Sequence, residues 1–280
     1  MNVSQLLSRR SIAVVVGLLG MLSLAIGAHA ALNKRALDAA KAIGVEQLEG
    51  SASTPSRLAL VIGNGHYPDA AGPLNQPIND ARALTSTLRQ SGFDVEVVED
   101  ASKDDMQRAV ERLKSRTRPD SVVMLFFGGY GIQAGRENYM IPVDARIWKE
   151  SDVRREGISV ESVLDGIKEK GARAKLVVID ASRRNPYERR FRSYSHGLAP
   201  IAAPDNALIL TSTTPGKVVD DSQGQNSVLV SELLNNLAAS GAGGIEGVFN
   251  KTRVAISRAS DGAQVPSVSS SLLDEIRIGG

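Results

Sequence analysis

A chain of 280 residues, 42% apolar and 23% charged, is long and apolar enough for one fairly large domain with its own core. It has no cysteine, which excludes disulfides, a lipid on an N-terminal cysteine and a cysteine nucleophile. The formal charge of +2 comes from Arg9 and Arg10; without residues 1–30, two of the 33 basic residues and none of the 31 acidic ones leave, so the remainder is formally neutral. A neutral remainder gives no argument for nucleic acid or a membrane surface as a partner.

The first segment reads as an export signal. Arg9-Arg10 precede the apolar run "SIAVVVGLLGMLSLAIG", and Ala28-His29-Ala30 forms a small-x-small cleavage site. From Ile12 to Ile26 the apolar run falls short of the ~20 residues a spanning helix needs, so cleavage near Ala30 is expected rather than an anchor. A periplasmic or secreted location follows, with membrane contact only through the transient signal peptide. Residues 31–56 begin with a helical patch, "ALNKRALDAAKAIG", and end in a Gly/Ser/Pro linker, "EGSASTPS". The domain proper is expected over 57–280.

From Arg57 apolar strands alternate with helices. "RLALVIG" is a short buried strand stopped at Gly63. "NDARALTSTLRQSG" is a helix with Ala81, Leu84 and Leu88 on one face and Gly92 as its stop. The strand "FDVEVVED" follows, and then the amphipathic helix "KDDMQRAVERLKSR", opened by Ser102. "SVVMLFFGGYG" is an apolar strand running into glycines, "SVESVLDGIKEKG" a helix, and "AKLVVID" and "NALILTSTT" two more strands. The helices "NSVLVSELLNNLAAS" and "GIEGVFNKTRVAIS" complete the pattern, and no repeat is visible. Wholly apolar strands separated by helices predict an α/β fold with a mainly parallel sheet covered on both faces. Ligands of such sheets sit beyond the carboxyl ends of the strands, which makes Tyr130 in "FFGGYG" and Ser182 in "VIDASRR" expected neighbours.

"GNGHYPDAAG" lacks both GxGxxG spacing and the lysine of a phosphate-binding loop, so it reads as a turn. Ser182 is a candidate nucleophile, but a serine needs a positioned base, and after export only His66 and His196 remain. The GxSxG elbow is also absent. The basic stretch Arg183, Arg184, Arg189, Arg190 and Arg192, interleaved with Tyr187, Phe191 and Tyr194, reads as a solvated loop or a phosphate-binding patch. Asp80, at the expected start of a helix, is suited to capping amides there. Asp180 ends an apolar strand and needs partners; two such carboxylates facing one pocket would suit a guanidinium or ammonium group.

Six blocks occur in order: "RLALVIGNGHY", "LNQPINDARALTSTLRQSGFDV", "VVMLFFGGYGIQAGRENYMIPVDA", "LVVIDASRRNPYERRFRSYSHGLA", "TSTTPGKVVDDSQGQNSVLVSELL" and "QVPSVSSSL". Together, from about Arg57 to Leu272, they resemble the caspase-like cysteine peptidases, on the metacaspase and bacterial orthocaspase branch. The resemblance implies the caspase-hemoglobinase fold and a His-Cys dyad on adjacent strand ends. Tyr130 stands where the family's histidine belongs, and Ser182 where its cysteine belongs. A cysteine works as a thiolate, its free pKa of ~8.5 lowered by a nearby imidazolium, whereas tyrosine, at ~10, is a poor base at neutral pH. The expectation is therefore an inactive pseudo-peptidase. By the same resemblance Asp80 and Asp180 match an acidic pocket that selects arginine or lysine, which implies a basic peptide or protein partner. Calcium is implied by the resemblance alone, with no ligand set, so no cofactor is expected. The branch also implies a monomer. The alternative is an active hydrolase using Ser182, assisted by Tyr130, His66 or His196.

Overall fold

The computed structural model describes residues 56–68, 73–191, 197–219, 224–239 and 243–278. The expected signal peptide, the linker up to residue 55, and Arg192, Tyr194 and His196 lie outside the described residues.

Along the chain, β1 (Arg57–Gly63), α1 (Gln76–Gln90), β2 (Asp94–Glu99), α2 (Lys103–Arg116) and β3 (Val122–Gly128) alternate as the apolar pattern predicts. A small excursion follows: β4 (Gly131–Ala134), β5 (Glu137–Met140), α3 (Glu150–Glu156) and β6 (Ile158–Ser159). The chain then runs through α4 (Val160–Glu169), β7 (Ala174–Asp180), β8 (Ala207–Thr211), α5 (Val228–Ala239), α6 (Ile245–Ala259) and β9 (Ser267–Ser270). The main sheet has the order β2-β1-β3-β7-β8-β9, parallel except for β9, while β4, β5 and β6 pair antiparallel in a separate sheet.

The apolar strands have no polar face because both sides are covered. Leu58, Leu60 and Ile62 of β1 share one side with Val123, Leu125 and Phe127 of β3, packed against α2 and α4. The alternate residues Ala59 and Val61, with Met124 and Phe126, face Leu84 and Leu88 of α1 and Leu233 and Phe249 of α5 and α6. This period of two is the pleat itself: successive side chains leave a strand on opposite faces. The result is the three-layer α/β caspase-hemoglobinase architecture.

Local chemistry sets the helix ends. Ser102 opens α2 with a reciprocal capping box: its hydroxyl accepts from Asp105 N at 3.2 Å, and Asp105 Oδ2 accepts from Ser102 N at 3.3 Å. α1 begins at Gln76, earlier than the sequence pattern suggests, because Pro77 in its first turn has no amide to leave unsatisfied. Gly63 then lets α1 lie directly on the end of β1, since a Cβ there would come within 2.4 Å of the Pro77 carbonyl oxygen. Gly63→Ala is expected to cost about 1–3 kcal/mol of unfolding free energy, as overpacking does. Urea unfolding checks this, and an unchanged midpoint would mean that the helix shifts without penalty.

Candidate functional site

Strands β1, β3 and β7 end level with one another: Gly63 pairs with Gly128, and Gly128 with Asp180. β1 connects to β2 on one side while the chain proceeds from β3 to β7 on the other, so the carboxyl ends of β1 and β3 form a topological switch point. Main-chain bonds continue past the strand ends. Gly129 N donates to Asp180 O at 3.3 Å and Gly131 N to Ala181 O at 2.9 Å, bracketing Tyr130 on β3's side and leading to Ser182 on β7's. Tyr130 and Ser182 thus occupy adjacent strand ends.

Tyr130 is held at ring and backbone. Its ring meets Tyr67 edge to face, with centroids 4.8 Å apart. Its amide donates to the Tyr67 hydroxyl at 3.1 Å, and that hydroxyl donates to Ile141 O at 2.9 Å. Burial pushes the Tyr67 phenol well above its ordinary range, so it is a neutral structural donor. Gly129, at φ +156°, lets the backbone pass close to this hydroxyl, which a Cβ would approach to 2.6 Å. Ser182 is buried, and its carbonyl accepts from Val219 N at 2.8 Å.

His66 lies elsewhere. Its Nδ1 is 2.5 Å from Asp100 Oδ2, in an exposed pair at the ends of β1 and β2. Asp100 Oδ1 also accepts from Gly65 N and His66 N, at 2.8 and 2.9 Å. Partial burial pushes the Asp100 carboxyl up, but these hydrogen bonds and the His66 ring outweigh it and hold it below the ordinary range. The histidine is therefore engaged toward β2, on the opposite side of β1 from β3 and β7.

Asp80 and Asp180 are buried carboxylates on one side of the sheet. Asp180 has the strand parity of Leu176 and Val178, which pack toward α1, α5 and α6, and Asp80 projects from α1. Both are sequestered, at 0% and 2% exposure. The expected capping role of Asp80 is corrected: α1 starts at Gln76, so Asp80 lies beyond its first turn. Instead Asp80 Oδ1 accepts from Asn226 Nδ2 at 2.8 Å and Ser227 N at 3.0 Å. Gln76 and Asn79, on the same helix, donate to Gly224 O and Gln225 O, so α1 also holds these two residues ahead of α5. The other oxygen of each aspartate, Oδ2, is buried without a hydrogen-bond partner among the described residues. Burial first, and the Asp180 carboxylate second, push the Asp80 pKa up to about 7, against the pull of Asn226 and Ser227.

Arg183, read from sequence as part of a solvated basic run, is 5% exposed. Its Nη1 donates to Gly129 O at 2.9 Å and to Asp180 O, and lies 3.9 Å from Asp180 Oδ1. It ties the two strand ends together and partly balances Asp180. Arg184, Arg189 and Arg190 of the same run are exposed, while Tyr187 is buried beneath it. Nothing in the sequence separates Arg183 from Arg184, and the Asn226–Ser227 contact joins positions 146 residues or more from Asp80. A cavity of about 560 Å³ between α2, α4 and β5 includes none of these residues. Among the described residues no group of three or more His, Asp or Glu side chains is placed to hold a metal ion, and no helix is long and apolar enough to cross a membrane.

These features define a caspase-type domain: residues 56–277 match the caspase domain family of peptidases, and the chain belongs to that family. It is 28% identical over 145 residues to the human mucosa-associated lymphoid tissue lymphoma translocation protein 1, and 28% over 141 residues to its mouse homologue. The matches cover 51% and 50% of this chain, but only 17% and 16% of those much longer proteins.

Proposed function

We propose that this chain is an exported, catalytically silent caspase-like domain of the metacaspase and orthocaspase type, acting as a monomer that binds basic segments of a peptide or protein partner. The observation that carries this reading is the pair of buried carboxylates, Asp80 and Asp180, each with an oxygen that has no hydrogen-bond partner among the described residues. An unsatisfied buried carboxylate oxygen costs free energy, and a guanidinium or ammonium group supplies the missing donors and charge together. Tyr130 and Ser182, at the strand ends where the family keeps its histidine and cysteine, support the loss of chemistry. A serine hydroxyl without a positioned imidazole is a weak nucleophile. His66 is committed to Asp100 at 2.5 Å, which argues against its serving as that base.

The test is cleavage of arginine- and lysine-terminated fluorogenic peptides by the purified protein, with and without calcium, beside Ser182→Ala. The expected result is no turnover by parent or variant, with an arginine-terminated peptide still binding both. Turnover that the alanine variant lacks would make Ser182 a nucleophile and overturn the reading.

A further inference from the structure

Beyond the end of β8 lies a serine that neither the sequence pattern nor the peptidase resemblance singles out. The last registered pair of β7 and β8 is Ile179 with Thr211. Ser212 N then donates to Ile179 O at 3.1 Å, which carries the ladder one step further and sets Ser212 beside Asp180, about 4.8 Å across the sheet. Leu208 and Leu210 of β8 pack with Leu176 and Val178 of β7 on the side of α1, α5 and α6. The alternation of the pleat puts Ser212 on that same side, with Asp180.

The main chain of Ser212 is fully engaged, because its carbonyl accepts from Gln264 Nε2 at 2.9 Å. Its side chain is not. Ser212 is 0% exposed, and its Oγ has no hydrogen-bond partner among the described residues. The hydroxyl of the preceding Thr211, by contrast, donates to Thr213 O at 2.9 Å. A buried hydroxyl without a partner costs free energy and is uncommon in folded chains. Here it joins Asp80 Oδ2 and Asp180 Oδ2, two more buried oxygens in the same condition. The other such hydroxyls, of Thr85 and Thr252, belong to α1 and α6 rather than to a strand end.

We propose that Ser212 is a specificity-determining contact of this site: its hydroxyl accepts a guanidinium N–H that Asp80 and Asp180 leave over, and so selects arginine over lysine. The inference rests on the reading of the two aspartates as a cation site. An ammonium is a single nitrogen that must reach every acceptor from one point, whereas a guanidinium spreads five N–H donors over a rigid plane. Acceptors supplied by α1, β7 and the end of β8, the last two a strand spacing apart, suit the plane rather than the point.

The test titrates the full chain and its Ser212→Ala variant with two labelled peptides that differ only in a terminal arginine or lysine, read by anisotropy. The parent should favour arginine about tenfold, and the variant should lose that preference by binding the arginine peptide about tenfold more weakly and the lysine peptide almost as before. The urea midpoint of the variant should not fall, since alanine removes a buried hydroxyl that has nothing to bond. A fall would show that the hydroxyl has a structural partner, and overturns the proposal. Unchanged arginine affinity in the variant, or equal losses for both peptides, overturns it too while leaving the aspartates as the cation site. A parent that binds neither peptide overturns the reading of the aspartates and this inference with it.

Discussion

The double variant Asp80→Asn/Asp180→Asn is expected to bind an arginine-terminated peptide about a hundredfold more weakly than the parent, the loss of two charge-assisted contacts. The same change should strengthen the fold. In the parent, Asp80 is raised from its ordinary 3.8 to about 7, so the folded chain holds this proton more tightly than the unfolded chain does. The stability it contributes is present in full below the unfolded value of 3.8 and is lost as pH rises toward about 7. Asp80→Asn removes that loss while keeping an acceptor for Asn226 and Ser227. At about pH 8 the variant should be more stable than the parent by an amount on the order of 1–3 kcal/mol, with the gap closing toward about pH 5. Urea unfolding at the two pH values measures it. Peptide binding near neutral pH should also release protons, since a bound cation favours the ionised carboxylate; calorimetry in buffers of different ionisation enthalpy reads that release. Undiminished peptide affinity in the double variant would remove these carboxylates as the binding site, and identical stability curves would remove the buried-carboxylate argument.

Tyr130→His/Ser182→Cys is the second large effect. Cleavage after arginine or lysine should appear at about a hundredfold or more above the parent, the scale of a positioned general base acting with an activated thiol. Either single change should stay near background, because a thiol without its imidazole, or an imidazole without a thiol, lacks half of the reaction. The backbone is prepared for the swap. Tyr130 is fixed through its own amide, which donates to the Tyr67 hydroxyl, and its carbonyl, which accepts from Ile141 N at 3.0 Å, and neither bond depends on the Tyr130 phenol. A double variant that folds, binds the arginine peptide and yet cleaves nothing would show that cleavage at these strand ends needs more than those two side chains.

The layered sheet was readable in advance because unbroken apolar runs such as Val122–Phe127 and Leu176–Ile179 suit only strands covered on both sides. Tyr130 and Ser182 were readable as neighbours because glycines and a lone aspartate end those runs. The excursion β4–β6 was not, since β6 has two residues and its pairing with β5 is set by tertiary contact rather than by period. Asp80 was found, but its partners were not: a bond to Ser227, 147 positions away, leaves no local mark. Arg183 was missed because only the crossing of Gly129 O and Asp180 O draws it inward while Arg184 stays in solvent.

The ladder that runs on past β3 and β7 is made of main-chain atoms, from Gly129 N to Asp180 O and from Gly131 N to Ala181 O. Side chains at Tyr130 and Ser182 can therefore be exchanged with little mechanical consequence for the sheet. Tyrosine codons lie a single base from histidine, and most serine codons a single base from cysteine. At this seam the step from tyrosine and serine to histidine and cysteine is therefore short in mutation and light on the sheet, in either direction.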